Sequence, residues 1–352
     1  MDLSELIRAV APPDEAARQA ARRRWNRCAK PLGSLGLLET AIEDVAALTG
    51  SADVDLSEKA ALVLCADNGV VAQGVTQTGS GVTAAVARQL ALGRSSVCRM
   101  ASVAGCRVVP VDMGILDFEG CEGVLNRRVG NGTADFTRRD AMTREQAERA
   151  ILIGAALVGD EAARGTRLIA TGEMGIGNTT TASAMTAVLL RRAPEEVTGR
   201  GAGLSDAGLG RKTAVIRQGV ERSRPDVDDP LDVLAKLGGF DLAGLCGVYL
   251  GGALYRVPVL IDGFPSAVAA LCAYRLCPAA AGAMLASHVS AEPAGAMVLD
   301  AIGKRPLIAA GMRLGEGTGA VAAMPLLDMA LAVYRDAYTF AEGGIEPYTS
   351  QC

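Results

Sequence analysis

The chain has 352 residues, of which 50% are hydrophobic and only 3% are aromatic. This apolar content excludes disordered, collagen-like and small disulfide-stapled proteins, and the length suggests about two domains. Lys and Arg number 35 against 39 Asp and Glu, so the net charge of -4 gives no positive field for a phosphate polymer. We therefore expect no nucleic-acid partner.

The cysteines and the single histidine, His288, indicate the redox environment of the protein and its capacity to bind metal. Nine cysteines form no C-x-x-C pair, which favours reduced thiols in the cytosol and no metal site. The first twenty residues lack the basic start and the long apolar run of a signal peptide. The uncharged stretch of residues 174–190 is too short to cross a membrane. We expect a soluble, cytoplasmic protein that is not membrane-bound.

The first half of the chain alternates predicted helices and strands. An amphipathic helix is predicted near the N-terminus by Leu38, Ala41, Ile42, Val45 and Leu48. β-rich runs at residues 61–65 and 107–111 predict strands, although Pro110 is unusual in a central strand. The turn-rich segment 116–139 is interpreted as a hairpin.

The second half continues this alternation. Thr143 and Gln146 form a capping box that predicts the start of a long helix. Further strands are predicted at 167–171, 257–261 and 306–310, and helices at 182–190, from about Asp206, and at 319–334 with a bend at Pro325. The alternation predicts an α/β fold with a parallel sheet covered by helices on both faces, beside a smaller layer of terminal helices.

Each predicted strand leads to an acidic residue that is followed within two positions by glycine. These acids are Asp67, Asp112, Glu173, Asp262 and Glu316. Ligands of open α/β sheets bind beyond the carboxyl ends of the strands, so this edge is the expected site. The alternative is that the acids only form turns and helix caps, which is the more common role of any single one of them.

The segment 172–181 follows a strand and opens a helix. Its glycines let the backbone approach a ligand, and successive N–H groups at the helix start can hold a phosphate. It is not a Walker A loop, and a structural turn is the alternative. Lys212 lies downstream, where it either supplements this cradle or is a solvated surface lysine.

Glu316 lies between glycines just before a predicted helix. A carboxylate there suits a general base, and the alternative is an acid that interacts with the helix dipole. His288 is either a structural or a catalytic histidine. No nucleophile elbow and no Cys/His spacing is present, which argues against serine and metal hydrolases.

Six blocks of sequence together resemble one known family. They are residues 30–36 (KPLGSLG), 67–70 (DNGV), 172–180 (GEMGIGNTT), 262–264 (DGF), 290–292 (SAE) and 313–319 (RLGEGTG). In this order, and over nearly the whole chain, they resemble the nicotinate-nucleotide:dimethylbenzimidazole phosphoribosyltransferase family.

The resemblance implies a cytoplasmic, homodimeric enzyme of cobalamin nucleotide-loop assembly without a metal or cofactor. Its substrates are nicotinate mononucleotide and 5,6-dimethylbenzimidazole or a related base, and its products are α-ribazole 5′-phosphate and nicotinate. The implied fold is a Rossmann-like three-layer αβα domain, residues 58–319, plus a small helical domain from residues 1–57 and 320–352.

The resemblance also implies roles for individual residues. Glu316 matches the general base. The expected phosphoribosyl site comprises Glu173, Gly175, Ile176, Gly177, Asn178, Thr179, Thr180, Gly203 and Lys212. Asp262 either meets the ribose hydroxyls or braces a turn. The expected base-binding residues are Thr76, Ala85, Met174, Ser290 and Leu314.

Two of these residues depart from the family pattern. Thr76 replaces the usual serine and Ala85 the usual glutamine, which predicts an altered and wider acceptor pocket. A homologue with relaxed or phenolic acceptor specificity is therefore one alternative. A noncatalytic nucleotide-binding partner subunit is another, and the intact Glu316 and glycine loop argue against it.

Overall fold

Six parallel strands form one sheet in the order β3-β2-β1-β4-β5-β6. The computed structural model describes residues 1–349. The strands are β1 (Lys59–Ala66), β2 (Cys106–Gly114), β3 (Leu125–Asn126), β4 (Leu168–Met174), β5 (Val259–Ile261) and β6 (Met284–Ala286). This is the strand order of the Rossmann fold, and its switch point lies between β1 and β4.

The helices of residues 1–349 fall between and around these strands. They are α1 (Leu3–Ala9), α2 (Glu15–Trp25), α3 (Leu37–Thr49), α4 (Gly81–Ala91), α5 (Ser96–Ala104), α6 (Arg144–Ala163), α7 (Asn178–Leu189), α8 (Pro194–Val197), α9 (Asp206–Ser223), α10 (Pro230–Leu237), α11 (Phe240–Tyr255), α12 (Phe264–Leu276), α13 (Gly295–Ile302) and α14 (Thr318–Asp336). The capping box that opens α6 is confirmed, with Thr143 N donating to Gln146 Oε1 at 2.9 Å.

Alternate side chains of β1 enter two different hydrophobic clusters. Leu62 and Leu64 belong to the cluster that contains α6 and α11, whereas Ala61 and Val63 belong to the cluster with α3, α5 and α14. Helices therefore cover both faces of the sheet, and the predicted three-layer α/β fold is confirmed. The helices α6 and α11 approach closely because a Cβ at Gly154 would collide with a backbone carbonyl of α11.

Two predicted elements of the sheet are wrong. Residues 306–310 form no strand beyond a single bridge between Ile308 and His288, and the last strand is instead Met284–Ala286. The predicted hairpin 116–139 supplies the short β3, which pairs in parallel with β2. β3 meets β2 only at Val111 and Asp112, so at Pro110 β2 has one neighbouring strand, and there a missing N–H is tolerated.

The terminal helices lie on both faces of the sheet. α2 and α3 pack together and α14 packs on α3 and α5, whereas α1 joins the cluster of α6 and α11 on the other face. Pro325 lies inside α14, which continues to Asp336. A separate small domain of residues 1–57 and 320–352 stays a prediction. Among residues 1–349 no helix combines the length and the apolar character needed to span a bilayer.

Candidate active site

A cavity of about 180 Å³ lies beyond the carboxyl ends of the strands. The loops that follow β1, β4, β5 and β6 line it, together with the loop before α14 and the start of α9. The main lining segments are residues 75–78, 173–179, 263–265 and 313–316. The residues 173–179 and Glu316 therefore face one cavity, at the sheet edge where the sequence predicts a site.

Only two of the five strand-end acids line this cavity, Glu173 and Glu316. Asp112 accepts hydrogen bonds from the backbone N–H groups of Gly114 at 2.9 Å and Ile115 at 2.8 Å, and it pairs with Arg128 at 3.0 Å. For Asp112 the turn-forming alternative is therefore the correct one.

Asp67 supports the glycine loop from behind. Its carboxylate accepts from Thr83 Oγ1 at 2.7 Å and from Leu116 N at 2.9 Å, while Thr83 Oγ1 accepts from Ile176 N at 3.2 Å. Burial raises the pKa of Asp67. Asp67 thus acts on the loop through Thr83 and does not itself line the cavity.

Asp262 braces the start of α14. Its two oxygens accept from Gly317 N at 3.0 Å, Gly319 N at 2.8 Å and Ala320 N at 3.0 Å. The side chain is buried beside His288, which lines the cavity and whose pKa is lowered by burial. Of the two predicted roles for Asp262, this arrangement supports the brace, which fixes the loop that carries Glu316.

We expect Asp262→Asn to lower the free energy of unfolding by about 1–3 kcal/mol, because the new amide turns N–H groups toward buried N–H donors. Urea unfolding measures this change. Asp300→Asn, on the exposed face of α13, is the control and should leave the midpoint unchanged. Equal midpoints for both variants would show that Asp262 does not brace α14.

The loop that carries Glu316 has an unusual backbone. Glu316 has φ +59°, a left-handed conformation that is uncommon for a residue other than glycine and often marks a functional site. A Cβ at Gly172 would lie 2.6 Å from Glu316 O, so only glycine there lets the loop lie on β4. Glu316 N donates to Glu173 O at 3.3 Å, and Glu316 Oε2 accepts from Val97 N at 3.4 Å.

Most of the predicted phosphoribosyl residues meet at the start of α7. Gly175, Ile176, Gly177, Asn178 and Thr179 line the cavity. Gly177 precedes the helix with φ +94°, where an added Cβ would lie 2.8 Å from a side-chain carbon of Val71.

Two other predicted residues lie outside the lining. Thr180 is buried, and its hydroxyl has no partner among the described residues. Gly203 lies between Ala202 and Leu204, which do line the cavity.

Lys212 is buried and not a surface lysine, which overturns that alternative. Its Nζ donates to Thr179 Oγ1 at 3.0 Å and to Gly199 O at 3.1 Å. Burial lowers the pKa of Lys212 to about 8. The lysine therefore places a desolvated cation beside the N–H groups of the loop, as an anion site requires.

Glu292 is a lining residue to which the sequence assigned no role. Its Oε1 accepts from Gly201 N at 3.1 Å, while its buried Oε2 has no partner among residues 1–349. It faces Lys212 and raises the pKa of that lysine. Arg313 and Gln77 also line the cavity unassigned. Glu292 and Arg313 lie in two of the six blocks that resemble the family, and this position was the sequence feature that could have identified them as site residues.

Four of the five predicted base-binding residues line the cavity, namely Thr76, Met174, Ser290 and Leu314. Leu314 is 58% exposed and Ser290 is buried, so the wall is open on one side. Ala85 is exposed on α4 and lies outside the lining residues. The substitution at position 85 therefore leaves that part of the helix without a side chain that reaches the cavity.

The chain is similar to known proteins over nearly its whole length. A family model described as phosphoribosyltransferase matches residues 10–345. The nicotinate-nucleotide–dimethylbenzimidazole phosphoribosyltransferase of Acetivibrio thermocellus is 42% identical over 94% of each chain. The enzyme of the same name from Roseiflexus sp. is 44% identical over 97% of this chain and 98% of that protein.

Solved structures agree with the sequence relatives. The structure of CobT from Thermus thermophilus superposes with a TM-score of 0.90 at 39% identity, covering 95% of this chain and 100% of that one. A second structure from the same organism, named as the nicotinate-nucleotide–dimethylbenzimidazole enzyme, superposes with a TM-score of 0.88 at 38% identity. The chain therefore belongs to the nicotinate-nucleotide–dimethylbenzimidazole phosphoribosyltransferase family.

Proposed function

We propose that this chain transfers the phosphoribosyl group of nicotinate mononucleotide to 5,6-dimethylbenzimidazole or a related base. The products are α-ribazole 5′-phosphate, used in cobalamin nucleotide-loop assembly, and nicotinate. One observation carries the proposal: Glu316 and the anion cradle of Gly175–Thr179 with Lys212 line the same cavity. A mononucleotide phosphate fits the cradle, which leaves the sugar carbon toward the wall of Thr76, Met174 and Leu314.

The chemistry requires little beyond positioning and one base. The pyridinium nitrogen of the donor is already cationic, so nicotinate leaves with the electrons of the C–N bond and no acid is needed. The acceptor nitrogen attacks the anomeric carbon from the opposite face, which inverts β to α. The azolium that forms then loses its N–H proton to Glu316. Holding donor and acceptor in line supplies much of the acceleration.

The assay uses purified protein, nicotinate mononucleotide and a panel of 5,6-dimethylbenzimidazole, adenine and p-cresol. Mass spectrometry identifies the products, and the expected result is nicotinate release with α-ribazole 5′-phosphate. Preferential formation of the p-cresol product would favour the phenolic-acceptor alternative. Folded protein that releases no nicotinate with any acceptor would contradict the proposal and favour a nucleotide-binding subunit.

Nucleotide affinity should depend on pH through Lys212. The free lysine loses its charge as pH rises through about 8, and bound phosphate raises its pKa because it favours the cation. The dissociation constant should therefore change little around pH 7, begin to rise as pH approaches 8, and rise above pH 8 by up to about tenfold per unit. Calorimetry measures it, and a constant value up to pH 9 would show that Lys212 does not contact the phosphate.

We propose further that the protein acts in the cytoplasm as a homodimer, as the family resemblance implies. The domain division into residues 1–57 with 320–352 and residues 58–319 belongs to the same proposal. Light scattering during size-exclusion chromatography measures the mass, for which we expect twice that of one chain. A mass equal to one chain at micromolar concentration would contradict the dimer.

A further inference from the structure

Asp241 is a fully buried acid that the proposed mechanism does not use. It lies in the first turn of α11, and none of its side chain reaches solvent. Its Oδ2 accepts a hydrogen bond from Asn178 Nδ2 at 3.1 Å, while its Oδ1 has no partner among the described residues. A buried carboxylate with an unused oxygen is costly, so its presence calls for an explanation.

The amide of Asn178 connects Asp241 to the cavity. Its Nδ2 donates to Glu173 Oε2 as well as to Asp241 Oδ2, so both amide hydrogens are used. Two acceptors on one NH₂ group fix which end of the amide is the oxygen. Glu173 and Asn178 both line the cavity, whereas Asp241 stands behind them.

The Asp241 carboxylate also lies against the backbone of the glycine loop. A Cβ at Gly175 would lie 2.7 Å from Asp241 Oδ2, and a Cβ at Gly239 would collide with Asp241 Oδ1. On the other side, Glu173 Oε1 lies 2.9 Å from the position of a Cβ on Gly315, next to Glu316. The chain of contacts thus runs from α11 through Asn178 and Glu173 to the loop of the general base.

Other acids lie around this pair of carboxylates, together with the amides of Asn68 and Asn178. Burial, with a smaller contribution from the charge of Asp67, raises the pKa of Asp241 to about 7. Burial also raises the pKa of Glu173 well above its usual value, with Asp241, Asp262 and Glu316 adding to the effect. Burial raises the pKa of the Cys65 thiol in the neighbouring strand β1. Because one amide contacts both carboxylates, they are neighbours, and neighbouring carboxylates do not both ionise readily, which favours a shared proton.

We propose that Asp241 is a positioning residue that orients Asn178 and, through its amide, holds the Glu173 carboxyl group against the loop of Glu316. This inference rests on the proposed function and adds to it a residue behind the site. Asp241 itself touches no substrate.

The test compares wild-type protein with Asp241→Ala, which removes the charge and leaves Asn178 Nδ2 without this acceptor. We expect kcat/KM for nicotinate mononucleotide to fall about 10- to 100-fold, because misplacement of groups around the reacting atoms has effects of this size. In wild-type protein the pH profile of kcat/KM should show an apparent pKa that belongs to the Asp241–Glu173 pair. In the variant this pKa should be lower, because Glu173 loses a neighbouring negative charge.

A double-mutant cycle with Asn178→Ala tests whether Asp241 acts through the amide. The substitution at 241 should have little further effect once Asn178 is absent, and additive effects would overturn the proposal. Asp112→Ala is the matched control, at a buried acid of the same sheet edge that lies outside the cavity. It should change thermal stability but not the pH profile.

Three outcomes would contradict the role of Asp241 or the proposed function. An unchanged kcat/KM and pH profile in Asp241→Ala would overturn the proposal. Lower activity with an unchanged profile would indicate a purely structural role and would also overturn it. Should Asp241→Ala not fold, Asp241→Ser is measured in the same way. A wild-type protein that releases no nicotinate would instead contradict the proposed function.

Discussion

Glu316→Gln is expected to lower kcat by about 10²- to 10⁴-fold while the protein still folds and binds nicotinate mononucleotide, because a general base contributes this much. The amide has nearly the size of the carboxylate but cannot take the azolium proton. Val97 N donates a hydrogen bond to Glu316 Oε2, and the amide oxygen of glutamine can accept the same bond. The loop that carries residue 316 should therefore keep its position. Stopped assays of nicotinate release measure kcat, and calorimetry measures nucleotide binding.

An N-methylated acceptor makes this prediction specific to proton transfer. When 1,5,6-trimethylbenzimidazole attacks, the product azolium carries no N–H proton, so no base is needed. Glu316→Gln should then turn over this acceptor at about the wild-type rate, and Glu316→Asp should retain part of the activity with the natural base. An equal loss with both acceptors, or near-normal turnover with 5,6-dimethylbenzimidazole, would contradict the role of Glu316.

Lys212→Met should raise KM for nicotinate mononucleotide about 10- to 100-fold, because a charged hydrogen bond to phosphate contributes roughly 1.5–3 kcal/mol. The methionine keeps the length and fills the buried space, but it leaves Glu292 without the nearby cation. Nicotinate riboside, which has no phosphate, separates binding from structural damage. The wild-type and variant proteins should use the riboside with similar kcat/KM.

Lys304→Met is the matched control for this substitution. Lys304 is a partly buried lysine whose pKa is also lowered by burial, and it lies near Asp44 beside a different cavity. Its replacement should affect stability and leave KM unchanged. A Lys212→Met variant with the wild-type KM would show that Lys212 does not contact the phosphate. An equal loss of kcat/KM for the riboside and the nucleotide would show the same.

Local sequence patterns predicted four of the six strands, including the short β5, and failed at β3 and β6. β1, β2 and β4 stand out as runs of apolar and β-branched residues, and the capping box of α6 is a local signal. β6 has only three residues in an alanine-rich stretch, so its pattern does not differ from that of a buried helix segment. Residues 306–310 have the composition of a strand, but only Ile308 bridges to the sheet.

The same limit applies to the strand-end acids. All five strand-end acids are followed by glycine within two positions. Only tertiary contacts show that Asp67, Asp112 and Asp262 bind backbone N–H groups or support neighbouring residues. The position of Glu316 left its role open between a general base and an acid at a helix start, and the family resemblance assigned the general base.

The burial of Lys212 was, by contrast, readable from the sequence. Lys212, Val215, Ile216 and Gly219 occupy one helical stripe, and all four are buried. A lysine on an otherwise apolar or small-residue stripe indicates a buried cation. Asp241 gave no comparable signal, because its neighbours in α11 are buried all round the helix.

The most direct test is a crystal structure with nicotinate mononucleotide and 5,6-dimethylbenzimidazole bound to the Glu316→Gln variant. The account predicts the phosphate within hydrogen-bond distance of Lys212 Nζ and of the N–H groups of residues 175–179. It also predicts an acceptor ring between Met174 and Leu314 with its N–H directed at residue 316. A mononucleotide bound on another surface, or a residue 316 too remote to reach the acceptor, would contradict it.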